Sequence, residues 1–237
     1  TLGTLDARTA ADRAGDTLTE QANWGDVQVL AGGSIADAHA DTVGHDAEGF
    51  ATQTGDPRTV NVYADGLQLQ SGQMFAFDPE EAHIGLAGNP LDIEVLTAAA
   101  EAYQGGVYLY ESTDVTVDNV AFQGVNRIGL DSSVTPEIGG DGLSGLTAGL
   151  HAKIETLNGT LTVGGVGADA GGDVLLAANG TGSDVVLDSD VYFDGHATVL
   201  ARDSVLQNAD IYSVPYGDFT VDVEAFEGNI VMVGDAT

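Results

Sequence analysis

The chain has 237 residues, 33 of them glycine and none cysteine, and it sets 37 acidic residues against 6 basic ones for a formal net charge of −31. That charge argues against nucleic acid and anionic membrane surfaces as partners, because both need a basic stripe. No stretch approaches the eighteen apolar residues of a membrane span, so no membrane insertion is expected, and without cysteine there is no thiolate chemistry from which to read a redox compartment.

The acidity fits a saline habitat, where salt screens self-repulsion. It equally fits divalent-cation binding, chiefly calcium, by surface carboxylates. Both readings suit an extracellular or cell-surface protein. The sequence starts at Thr1 and reads as a mature or excised segment of something larger.

Taken in chain order, residues 1–23 are rich in Ala, Asp, Arg and Thr with little strand character, and are expected to form an N-terminal cap or an extended arm. Residues 24–45, "WGDVQVLAGGSIADAHADTVGH", resemble an early rung of a repeat. Residues 60–77 alternate apolar and polar as a strand does, and residues 83–112 give two further lines of that kind. The region 124–151 is looser, with GGDG at 139–142, and predicts a loop excursion. From 173 onward the lines are regular: short apolar runs separated by Gly, Asn, Asp or Ser.

These lines repeat. Thr198–Ala201 falls under Val174–Ala177 at an offset of 24, and Ala209–Ile211 under Ser189–Val191 at an offset of 20. Phe219–Val221 follows Ala197–Val199 by 22, and Asp114–Val117 precedes Thr160–Val163 by 46, which reads as two periods of 23. A steady period built of short strands predicts an all-β fold, a right-handed parallel β-helix (β-solenoid) with roughly 20–24 residues per rung over residues 24–237. About ten rungs at ~4.8 Å would make a rod on the order of 50 Å long.

The lines between Ala87 and Ser213, such as "GLAGNPLDIEVLTAAAEAYQGGVYLYESTDVTV" and "GGDVLLAANGTGSDVVLDSDV", resemble giant bacterial β-strand-repeat surface proteins of the filamentous-haemagglutinin and large-adhesin kind. The resemblance is one of repeat style over about 150 residues. It implies secretion, a β-helical stalk and a role in adhesion or matrix, and it carries no catalytic residues to transfer.

Candidate sites are sparse. "GGVGAD" at 164–169 fits the opening of a calcium-binding repeat, with Asp169 as ligand, although no tandem copy follows. In "DSDVYFD", Asp188 and Asp190 share a strand face, and Asp194 lies close by; a calcium ion would relieve their repulsion. An ordinary glycine turn and a solvated acidic turn are the plainer readings. His39, His45, His83, His151 and His196 show no metal-binding spacing, and no nucleophile motif occurs. Tyr108 and Tyr110 share a strand face that suits carbohydrate stacking or simple strand packing. Asn158 and Asn179 open N-glycosylation sequons at turns.

The expectation is therefore a non-enzymatic structural subunit or segment of an extracellular filament, sheath or adhesin. It would assemble head-to-tail with itself through open solenoid edges, with residues 1–23 as a possible complementing arm. The alternative is a β-helical carbohydrate-binding module or polysaccharide-active hydrolase or lyase that meets surface glycans. A carboxylate groove beside Tyr108 and Tyr110 would favour the alternative.

Overall fold

The computed structural model describes residues 1–14, 21–39, 42–54, 59–72, 82–121, 125–137, 142–213 and 218–233. Among these residues, eighteen strands join one parallel sheet that coils around a common core, and three antiparallel pairs stand outside it. Coiling puts each strand beside its equivalent in the next turn. One unbroken column of paired residues runs Leu5, Val62, Ile93, Glu111, Thr156, Ala178, Ala201, Ala225. Its eight levels and the ~4.8 Å spacing of paired strands give a rod about 34 Å long. The rod is shorter than the ten rungs expected, because two stretches of chain leave the ladder.

The regular half has three strand faces. The first stacks Leu146–Ala148, Ala168–Ala170, Val191–Phe193 and Ile211–Ser213. The second stacks Ala152–Thr156, Val174–Ala178, Ala197–Ala201 and Val221–Ala225. The third stacks Leu161–Val163, Val185–Leu187, Val205–Gln207 and Ile230–Met232. Side chains alternate, so Leu176, Val199, Leu161, Val185, Leu187 and Phe193 point into the core and are fully buried. No single turn could bury these residues alone; stacking makes the core continuous.

The register corrects three sequence alignments. Val174 pairs with Ala197 and Leu175 with Thr198, so the offset on this face is 23 rather than 24. Ala197 pairs with Val221, an offset of 24 rather than the 22 read from Phe219–Val221. Val115 pairs directly with Leu161, so the interval of 46 is one turn of the coil and not two. The surplus lies in an excursion. Asn119–Val120 pairs antiparallel with Leu143–Ser144, and beyond that neck Val125–Ile128 pairs with Val134–Glu137. The chain is back in the ladder at Leu146.

Corners between faces expose backbone N–H groups that the next turn cannot reach, and side chains of the turn below accept them. Before the third face, Asp114 Oδ1 accepts the Thr160 N–H (2.6 Å), Thr160 Oγ1 that of Asp184 (3.3 Å), Asp184 Oδ1 that of Ser204 (2.8 Å) and Ser204 Oγ that of Asn229 (3.1 Å). Before the second face, His83 Nδ1 accepts the Gly106 N–H (2.9 Å), His151 Nδ1 that of Asp173 (3.0 Å), Asp173 Oδ1 that of His196 (2.9 Å) and His196 Nδ1 that of Thr220 (3.2 Å).

Part of the N-terminal segment is built into the rod. Leu5–Asp6 pairs in parallel with Val62–Tyr63. The short helix Ala10–Ala14 buries Asp12, which accepts the Trp24 indole N–H at 3.1 Å, and Trp24 packs edge-on against Tyr63. Arg8 lies 3.7 Å over the Tyr63 ring. Leu5 and Asp6 are thus engaged by their own chain. The 24–45 line is only partly a rung: Val27–Ala31 stacks on Leu67–Ser71, but Thr42–His45 turns back as one arm of an antiparallel hairpin with Ala51–Thr54.

Candidate functional site

That hairpin is a strap lying along the outside of the second face. Its tip is preorganised: Asp46 Oδ1 accepts the N–H groups of Glu48 (3.1 Å) and Phe50 (2.9 Å), and Gly49 takes φ 94°. Phe50 is fully buried against Ala177 and Leu200, and its ring centroid is 5.4 Å from that of Phe226. The Arg202 guanidinium sits 4.2 Å over Phe50, forms an ion pair with Asp46 at 3.3 Å, and donates to Asn179 Oδ1. Lower on the strap, the Ala51 N–H donates to Glu155 Oε1 at 2.8 Å.

Between strap and rod lies a cleft of about 210 Å³. Val43, Pro90 and Leu175 form apolar walls, and His45, Tyr108, Tyr110, Lys153 and Glu155 bring polar groups to it. The ladder places them: Tyr108 pairs with Lys153 and Lys153 with Leu175, while Tyr110 lies between Asp92 and Glu155. The two tyrosines are 7% and 3% exposed, so neither offers an open stacking platform; they line a small, partly open cleft. Lys153 is the only lysine of the chain. It makes no ion pair and no hydrogen bond with any described residue.

The calcium candidates do not converge. Asp169 lies on the first face with its side chain outward, paired with Tyr192. Burial, and the nearby Asp194, raise its carboxyl above the usual range. Asp194 accepts the Tyr192 hydroxyl (2.9 Å), Asp190 the Asp210 N–H (3.1 Å) and Asp188 the Asn208 amide (2.7 Å). Asp188, Asp190 and Asp194 thus each accept one hydrogen bond, and no group of three metal-ligating side chains gathers among the described residues. In "GGVGAD", Gly165 and Gly167 take φ 61° and 85°, and Gly167 passes so close to the Asp190 carbonyl that a Cβ would collide with it. Those glycines serve a corner. Asn158 is exposed at its turn, whereas the Asn179 side chain is held by Arg202 and by the Gly180 N–H.

Two features escape sequence reading. The histidines read as scattered, yet His83, His151 and His196 occupy one corner column. The shared signal is position: each immediately precedes a residue of the second-face stack. The strap is the other. Its contacts join residues 104 apart (Ala51 and Glu155) and 156 apart (Asp46 and Arg202), beyond any local pattern.

No protein-family model matches the chain, and comparison with curated proteins and with solved structures gives no match.

Proposed function

We propose that this chain is a structural segment of an extracellular right-handed β-helical stalk, sheath or adhesin, with roughly 20–24 residues per rung, that joins end to end with further layers of its own kind. The observation that carries the reading is the last turn. Among the described residues, Val221–Ala225 and Ile230–Met232 pair with the turn below on one edge only. Val221, Ile230 and Met232 are 44%, 49% and 56% exposed, whereas Ala197 and Val205 directly beneath are 1% and 0% exposed. An open parallel edge with apolar side chains is a template for another layer of strands. That layer is either a further repeat of a longer chain or a second copy, and head-to-tail addition of copies does not close, so it would extend as a filament. The repeat style shared with giant surface proteins supports the same reading and the extracellular location.

Like-charged copies repel, so assembly requires salt or divalent cations to offset the charge. Electron microscopy and sedimentation of the purified chain, at low salt, high salt, with calcium and with chelator, test the reading. Rods longer than about 34 Å that lengthen with salt or calcium support it. Single short rods under every condition overturn self-assembly.

A further inference from the structure

The cleft under the strap has a chemistry that assembly does not use. A chain with 37 acidic residues keeps its one lysine at this place, without an ion pair to any described residue. Packing does not require an ammonium there, since the ladder neighbours of Lys153 on the same column are Tyr108 and Leu175. An isolated ammonium in a partly closed, low-dielectric site attracts an anionic group more strongly than it would in open water. The strap and the outer face bring apolar wall, phenols and a carboxylate to the same space, the combination expected of a small-molecule site.

We infer that this cleft binds one acidic sugar residue, a hexuronate, with its carboxylate on Lys153. The volume of about 210 Å³ is below the ~300–1,000 Å³ of drug-sized sites, which fits a single ring rather than a chain. Glu155 is held in place by the Ala51 N–H, which fixes the strap over the cleft beside Lys153. Val43, Pro90 and Leu175 meet the C–H faces of the ring. A neutral hexose would leave the ammonium unanswered. The carboxylate therefore supplies the selectivity, which gives the one lysine of the chain a partner comparable to the carboxylates that Arg8 and Arg202 already have. The inference is independent of assembly, since a single copy holds the whole cleft.

Titration calorimetry and saturation-transfer NMR with D-galacturonate and its neutral counterpart D-galactose test it, on chain held as single rods at low salt. Galacturonate is expected to bind saturably and galactose about ten- to a hundredfold more weakly, the range of one charge-assisted hydrogen bond. Lys153→Met should remove the preference for the acid. Val43→Trp, which fills the cleft and leaves Lys153 in place, should abolish binding of both sugars. Thermal melting of each variant establishes that it folds. Equal binding of the two sugars, galacturonate binding that survives Lys153→Met in a folded variant, or no galacturonate binding by the folded parent overturns the inference.

Discussion

The guanidinium of Arg202 lies 4.2 Å above the ring of Phe50, a residue 152 positions earlier in the chain, and pairs with Asp46 at the tip of the same hairpin. This contact, with Phe226 packed against both Phe50 and Arg202, ties the strap to the last two turns of the rod. The strap therefore braces the stack lengthwise, across turns that otherwise meet only their immediate neighbours.

The first prediction follows from that brace. Phe50→Ala removes a fully buried ring and should cost about 3–5 kcal/mol. Much of that cost should appear as local release of the hairpin. Hydrogen exchange is then expected to rise at residues 42–54 while Val174–Ala178 stays protected between two neighbouring strands. Uniform loss of protection along the ladder would mean that the strap is essential to the fold and is more than a brace.

Glu111 governs a pH dependence. It points into the rod between Ile93 and Thr156, with no exposed surface, and accepts the N–H groups of Val95 (3.1 Å), Ser112 (2.9 Å) and Thr113 (3.1 Å). Burial holds its carboxyl well above the usual range, and the Glu94 charge acts the same way, against the hydrogen bonds from the Thr113 and Val95 N–H groups and the Thr113 hydroxyl. The folded chain thus keeps this proton to a higher pH than the unfolded chain does. Its contribution to stability is present below the ordinary glutamic range and fades as pH rises through the folded value. Glu111→Gln cannot titrate and places an amide donor among N–H donors, a constant penalty of about 1–3 kcal/mol. Denaturant titrations from mildly acidic to alkaline pH should show the gap between parent and variant narrowing as pH rises. A gap that widens would show that the N–H donors hold Glu111 ionised.

The strand lines after residue 173 were legible because inward and outward positions alternate cleanly there, as in Val185–Leu187 and Val191–Phe193. Register was harder. Val174-Leu175-Leu176-Ala177 and Ala197-Thr198-Val199-Leu200 are apolar at nearly every position, so a one-residue slip preserves composition while exchanging faces. Leu175 and Leu200 look like core residues and in fact meet the strap on the outer face. The cleft was legible only in part. Tyr108 and Tyr110 could be singled out by alternation, but their pairing with Lys153 and Glu155 depends on a 45-residue interval inflated by the excursion. His45 reaches the cleft only through a hairpin that a sequence reading takes for a rung.

Corner glycines give a third prediction. Gly167→Ala places a Cβ against the Asp190 carbonyl at a φ of 85° and should cost about 2 kcal/mol or more. Gly88→Ala, where nothing lies within 4 Å, should be within about 0.5 kcal/mol of the parent. Thermal melts of the two variants side by side make the comparison. Similar melting temperatures would show that the corner can relax, and the account of "GGVGAD" as a geometric turn would fail.

The corner column before the third face explains how so acidic a chain stacks. Asp114, Thr160, Asp184, Ser204 and Asn229 succeed one another, so carboxylates alternate with neutral acceptors. Asp114 and Asp184 are two turns apart, about 9.6 Å by strand spacing, close to the Debye length of about 8–10 Å at ordinary ionic strength. Repulsion within the column is therefore screened in salt and felt without it. Asp184→Asn keeps an oxygen to accept the Ser204 N–H and removes one charge of the net −31. It should stabilise the chain at low ionic strength, with the gain vanishing near 1 M salt, where the Debye length is about 3 Å. Asp184→Ala loses the acceptor as well. It should fall about 1 kcal/mol below Asp184→Asn at every salt concentration, since the freed N–H loses a net hydrogen bond. Melting curves of the three proteins across salt separate the two effects. If alanine and asparagine behave alike, the carboxylate contributes charge alone, and the corner bond is not a support of the stack.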